Sequence, residues 1–219
     1  MIFAKIDFIN LLPFYIFIKK NIKSSQIKQI IEYKKSYPSK INKKFKSKKI
    51  DAAFISSIAS LNEKSLDLGI VADNEVLSVL ALRGDYEKDY QSDTSNALAL
   101  VLDIKGKILI GDKALYHYHN AKDKDFIDLA KVWRDKYDLP FVFARLCVNK
   151  QYKYLKNLSK SFLKQKVFIP QYILNRYCKR SGLSQSQIKE YLTKISYEIS
   201  YKEKRSLKLF FKLLKQKGI

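Results

Sequence analysis

At 219 residues, with 47% hydrophobic and 29% charged side chains, the chain is long enough for a sizeable core and too apolar for an intrinsically disordered protein. Its formal charge of +22 points at first to nucleic acid, yet only six of the 43 basic residues are Arg, and the Lys residues are spread along the whole chain. Nucleic-acid readers favour the planar Arg fork, so the charge reads as compositional background with a weak steering effect on small anions, and no specific nucleic-acid partner is expected.

No apolar run is long enough to span a bilayer, and no leader in signal-peptide order is visible, so a cytoplasmic chain without membrane attachment is expected. Cys147 and Cys178 are too few and too distant for a disulfide framework or zinc site. His117 and His119, with no Cys or carboxylate cluster beside them, make a poor metal site. Neither a metal nor a cofactor is expected.

Met1–Asp7, rich in Ile and Phe, reads as a buried strand. Asn10 and Pro13 mark a turn into a helix over Phe14–Lys20. Gln26–Lys34 reads as a second strand, and Ser39 caps a short helix with Ile41 and Phe45 at i, i+4. Asp51–Ser56 is a short buried strand closing on Ser56 and Ser57. This alternation predicts a parallel α/β layer. Asp67–Ala72 and Val76–Leu82 are further extended segments.

The run Ser92-Asp93-Thr94-Ser95 then opens an apolar helix, and Ile108–Ile110 is a strand ending at Gly111 and Asp112. Phe126, Leu129, Ala130 and Trp133 share a helix face, Leu139–Cys147 is a strand, and three amphipathic helices follow. Ile195–Ser200 is extended, and Leu207, Phe210, Phe211 and Leu214 mark a final helix. The order predicts an α/β fold of two lobes around a ligand cleft. Lobe 1 is expected to comprise residues 1–83 and 196–219, and lobe 2 residues 84–195, joined by crossings near 78–85 and 195–200.

In such folds ligands sit at the carboxyl ends of strands, between the lobes. The residues there are Asn10, Ser56, Ser57, Ser78 and Asp112, with the Ser92–Ser95 helix start beside them. Each taken singly also reads as a helix cap. Together they set polar, mostly neutral groups at the mouth of nearly every strand, which suits a small anion held by hydroxyls and helix N–H groups. There is no nucleophile elbow, Walker loop, dinucleotide fingerprint or His-anchored triad.

Seven blocks in order carry a family resemblance: Phe8-Ile9-Asn10-Leu11-Leu12-Pro13; Asp51 to Ala59; Glu75 to Leu80; Asp89 with Ser92, Thr94 and Ser95; Leu109 to Leu115; Asp128-Leu129 with Trp133; and Leu139 to Ala144. Together they resemble the chorismate dehydratase family of the futalosine pathway of menaquinone biosynthesis, in register from residue 1 to about 146 and thinning beyond. The resemblance implies a type II periplasmic-binding-protein fold and loss of water from chorismate, a small dianion, to give 3-[(1-carboxyvinyl)oxy]benzoate. It further implies that Asn10 and Ser78 are catalytic and that Ser56, Ser92, Thr94 and Ser95 line the substrate cleft; Ser57 and Asp112 join the binding set from their place at strand ends. Two departures stand out: Asn74 replaces a usual Gly, and Asp93 replaces a common basic residue and is expected to point away from the ligand. The alternatives are a same-fold lyase acting on a cyclic futalosine derivative and a non-catalytic small-anion binding protein; the oligomeric state is left open.

Overall fold

In the computed structural model, which describes residues 1–219, the N-terminal segment lies alongside the strand β1 (Ala52–Ser56) without forming a ladder of its own. Phe3 bridges Ala52 in parallel, and Ala4 N donates to Ala52 O at 3.1 Å. The expected parallel layer is reduced to such isolated bridges; every strand ladder is antiparallel.

A 3-10 turn at Ile9–Leu11 leads into α1 (Leu12–Asn21), with Pro13 in the first turn, where its missing N–H would have had no helical partner. Gln26–Lys34, expected as a strand, is instead the helix α2 (Ser25–Tyr33). The reason lies in its spacing: Ile27, Ile30 and Ile31 share one face, Ser24 accepts from Ile27 N at 3.3 Å, and Ile31 is buried. Helix α3 (Pro38–Lys46) buries Ile41 and Phe45 as their spacing predicts, with Asn42 between them.

The remaining chain builds two sheets. β2 (Ser65–Ala72) is followed by β3 (Val79–Leu82), α4 (Asp93–Val101), β4 (Lys107–Ile110), α5 (Gly111–Asn120), β5 (Phe126–Asp128), α6 (Leu129–Tyr137) and β6 (Phe141–Val148). Then come α7 (Tyr152–Leu163), α8 (Gln171–Ser181), α9 (Gln185–Thr193), β7 (Ser196–Glu198) and α10 (Tyr201–Gln216). The first sheet has the order β1-β6-β2-β7, and the second β4-β3-β5. The α/β class and the two lobes facing one cleft stand.

The lobe boundaries need correction. A division at 83/84 would place β3 in lobe 1 and β6 in lobe 2, yet β3 centres the second sheet and β6 is inserted between β1 and β2 in the first. β6 is apolar and mostly buried along its length, which suits an interior strand, and it pairs Phe54 with Leu146 and Ile70 with Ala144. The chain therefore crosses to the second sheet between Ala72 and Val79 and returns between Tyr137 and Phe141. Residues 196–219 pack on the first sheet: β7 pairs with β2, and Phe210 of α10 packs on Phe141 of β6 at 5.1 Å between ring centroids.

Helices α7–α9 add no strand to lobe 2. Phe162 of α7 packs on Phe14 and Phe17 of α1, at 5.2 and 5.4 Å, whereas α8 and α9 lie against α5 and the Ile9–Leu11 turn. One continuous apolar core runs through both sheets. No helix is long and apolar enough to cross a membrane.

Candidate active site

The two lobes meet around a cleft with about 540 Å³ of empty space, part of it open to solvent. Ser56 enters from the end of β1, Ser78 from the crossing before β3, Ser92 and Ser95 from the start of α4, and Asn10 from the 3-10 turn before α1. Phe8, Ile70, Val79, Ile110 and Phe143 supply apolar walls, and no Asp, Glu, His, Lys or Arg lines the space.

The α4 wall is locally made. Ser92 is the N-cap, its Oγ accepting from Ser95 N at 3.2 Å and lying 2.8 Å from Ser95 Oγ. Capping therefore consumes acceptor capacity, while two hydroxyls share one bond and leave a proton for a ligand. Asp93 is exposed and does not line the cleft. Ser56 Oγ accepts from Asn42 Nδ2 at 2.7 Å, and Ser56 N donates to Asn42 Oδ1 at 3.2 Å.

A second wall, the rear wall, is built around two phenols. Ser78 is 2% exposed, and its Oγ accepts from the Tyr191 hydroxyl at 2.9 Å. The Asn10 amide borders the same phenol, and Asn10 O accepts from the Tyr197 hydroxyl at 2.6 Å. Burial pushes both phenols well above their ordinary range, so both remain protonated donors. Asn10 Oδ1 is buried without any partner. An unpaired buried acceptor costs free energy, which a bound donor recovers.

Asp128 holds the crossing that carries Ser78. One carboxylate oxygen accepts from Val76 N and Leu77 N at 2.9 and 2.7 Å; the other caps α6, accepting from Ala130 N and Lys131 N at 2.9 and 3.1 Å. Leu77 takes φ 59°, a left-handed conformation that these bonds hold in place. Burial raises the Asp128 pKa, against the pull of its four N–H donors.

Three expected binding residues turn elsewhere. Ser57 Oγ donates to Val142 O at 2.5 Å and ties β1 to β6. Thr94 Oγ1 accepts from Ile58 N at 3.1 Å, joining α4 to the turn after β1. Asp112 accepts from Ile9 N at 3.1 Å and from Arg180 at 2.5 Å, so it braces the turn bearing Asn10; burial raises its pKa while Arg180 lowers it. None of the three lines the cleft; the neighbour that does is Gly111, where a φ of +63° and a Phe8 ring 3.0 Å from the place of a Cβ both disfavour a side chain.

Asn42, Tyr191, Tyr197 and Asp128 had no place in the sequence-derived site. Asp128 carries a local signal, an Asp directly before an amphipathic helix. Nothing near Tyr191 or Tyr197 in sequence announces a partner 113 or 187 residues away.

Known proteins share this chain's features. A family model described as menaquinone biosynthesis matches residues 80–216, so the resemblance continues well past residue 146. The chorismate dehydratase of Campylobacter jejuni subsp. jejuni serotype O:23/36 (strain 81-176) is 49% identical over 220 residues, covering 98% of each chain. Among solved structures, protein AF1704 from Archaeoglobus fulgidus shares the fold with a TM-score of 0.68 at 13% identity, over 99% of this chain and 97% of that one. A weaker likeness, TM-score 0.44 at 11% identity over 98% of this chain and 92% of the other, is to the Candida albicans CA3427 gene product, described as exhibiting the generic periplasmic binding protein fold. By a near full-length identity of 49% and a family match through most of its length, the chain belongs to the chorismate dehydratase family of menaquinone biosynthesis.

Proposed function

We propose that the cleft between the lobes removes water from chorismate, giving 3-[(1-carboxyvinyl)oxy]benzoate. The observation that carries this reading is the polarity of the cleft: hydroxyl donors at Ser56, at Ser78 and from the Ser92–Ser95 pair, and one orphaned buried acceptor at Asn10 Oδ1. Chorismate near neutral pH is the complement, two carboxylates that only accept and a single hydroxyl, at C4, that donates. The Ser92–Ser95 helix start suits a carboxylate, through the spare hydroxyl proton of that pair and the partial positive charge of the helix end. Asn10 then faces the C4 hydroxyl, and Ser78, against the same tyrosine, stands beside the C3–C4 edge.

Loss of the C3 proton and the C4 hydroxyl as one water leaves the C3–H electron pair as the third double bond of an aromatic ring. That product supplies the driving force, so the enzyme's task is to orient the substrate and stabilise charge on the departing oxygen. No residue lining the cleft is a base. The substrate's own side-chain carboxylate takes the C3 proton. Purified protein mixed with chorismate should convert the cyclohexadiene spectrum into that of a substituted benzoate; no conversion overturns the reading.

A further inference from the structure

Behind two of the cleft serines stands a fixed donor. Asn42 aims Nδ2 at Ser56 Oγ, and cannot turn round, because its Oδ1 accepts from Ser56 N. Tyr191 aims its hydroxyl at Ser78 Oγ. All four residues are nearly sealed, Asn42 and Ser56 at 4% exposure, Ser78 at 2% and Tyr191 at 1%, and neither Asn42 nor Tyr191 reaches the cleft surface. A serine hydroxyl has one proton and two lone pairs. Where a donor occupies the oxygen from behind, the proton is left to a partner in front, and here the front is the cleft.

Building on the reading that the cleft takes a dianion, we infer that Asn42 and Tyr191 are positioning residues that orient the Ser56 and Ser78 protons toward the substrate. Neither residue touches the substrate. Each polarises a serine through a buried hydrogen bond, which strengthens the bond the serine makes next. Tyr191 acts at the wall facing the reacting edge, so its loss registers in turnover. Asn42 acts at the wall that holds the substrate, so its loss registers in binding.

Tyr191→Phe keeps the ring and removes only the hydroxyl. We expect kcat to fall about tenfold to a hundredfold with KM changed less than about threefold, and no further fall when the change is added to Ser78→Ala. Asn42→Asp keeps the shape but accepts where Asn donates, drawing the Ser56 proton backward. It should raise KM about tenfold, and that rise should vanish in a Ser56→Ala background, whereas a mere through-space charge effect would persist. A Tyr191→Phe kcat within about twofold of the parent protein, or losses that persist in full without the serines, overturns the inference. A crystal structure of Tyr191→Phe gives a readout that needs no turnover: Ser78 Oγ displaced from its present rotamer supports the inference, and Ser78 unmoved overturns it. Failure of the unaltered protein to convert chorismate defeats the assigned reaction alone, and that crystal structure still decides this inference.

Discussion

The front and rear walls of the cleft use the same kinds of side chain but are braced in opposite ways. At the front, Ser92 and Ser95 bond to one another within a single helical turn, so the wall forms wherever the helix forms. At the rear, Ser78 and Asn10 depend on Tyr191 and Tyr197, 113 and 187 residues distant, and on Asp128 and Asp112, which pin the backbone on either side. A locally braced wall tolerates damage piecemeal, because each cap contributes separately. A wall assembled from distant segments is set by tertiary packing, and losing one support loosens the others.

The largest effects are therefore expected at the rear. Ser78→Ala and Asn10→Ala should each lower kcat by about a hundredfold to a thousandfold, Ser78 as a donor aimed at the charge developing on the departing oxygen and Asn10 as the acceptor that orients the C4 hydroxyl. Ser78→Ala also strands the Tyr191 hydroxyl, at a cost of about 1–3 kcal/mol in stability. Asn10→Ala removes an unpaired acceptor together with an amide that borders the Tyr191 phenol, so its cost in stability should be smaller than that of Ser78→Ala. Steady-state kinetics beside thermal melts check the pair; turnover near that of the unaltered protein in both would remove the rear wall from the chemistry.

Asp128→Ala comes next. It deprives four N–H groups of their acceptor, two on the Ser78 crossing and two at the start of α6, and should cost about 2–4 kcal/mol. Because the same carboxylate sets the backbone of Ser78, kcat should fall about tenfold as well. Denaturant unfolding and kinetics on one preparation test the coupling. Stability lost with kcat intact would show that the crossing keeps its shape without Asp128.

Away from the cleft lining, Lys5 is buried between Asp7 and Glu32, at 3.3 and 3.2 Å. Burial raises the pKa of both carboxylates, but Lys5, helped by Tyr177 and Arg180 at Asp7 and by Lys19 at Glu32, brings the net shift below the ordinary range. Carboxylates with depressed folded pKa values contribute stability above their unfolded pKa, and that contribution is lost as pH falls through the folded values. Lys5→Met should therefore cost about 1–2 kcal/mol near neutral pH, screening of the half-exposed partners included. The gap from the unaltered protein should close below about pH 4, where both carboxylates begin to take up protons. A gap independent of pH would assign the loss to packing.

What could be read from the sequence follows the same division. The α4 start is legible because an N-cap and the N–H it accepts from lie three residues apart, and Asp93, expected to face outward, is exposed. The mouths of the strands were located, but not which way each polar residue turns: Ser57 and Asp112 sit where expected and point into the fold. Spacing gives position on an element; direction comes from the partner, and the partners are distant. Strand pairing fails for the same reason. β6 has the apolar pattern of a buried strand, yet nothing in its residues says that it enters between β1 and β2. The α2 segment is a different case, since the Ile27, Ile30 and Ile31 spacing itself carries the helical period.

The smallest effects belong to the front wall, and they separate two neighbours that composition treats alike. Ser95 lines the cleft and shares its hydroxyl with Ser92; Thr94 faces away, accepting from Ile58 N. Ser95→Ala removes a hydroxyl from the proposed carboxylate site while the positive helix end and the Ser92 hydroxyl remain, so KM should rise about tenfold with kcat nearly unchanged. Thr94→Ala leaves Ile58 N unpaired and should cost about 1 kcal/mol in stability, with KM moving less than about twofold. Measured together, the two variants distinguish a hydroxyl that meets the ligand from one that joins the lobes. A larger KM change for Thr94→Ala than for Ser95→Ala would mean that the anion is held through the junction between α4 and the turn after β1, and the front wall would then depend on distant contacts as much as the rear.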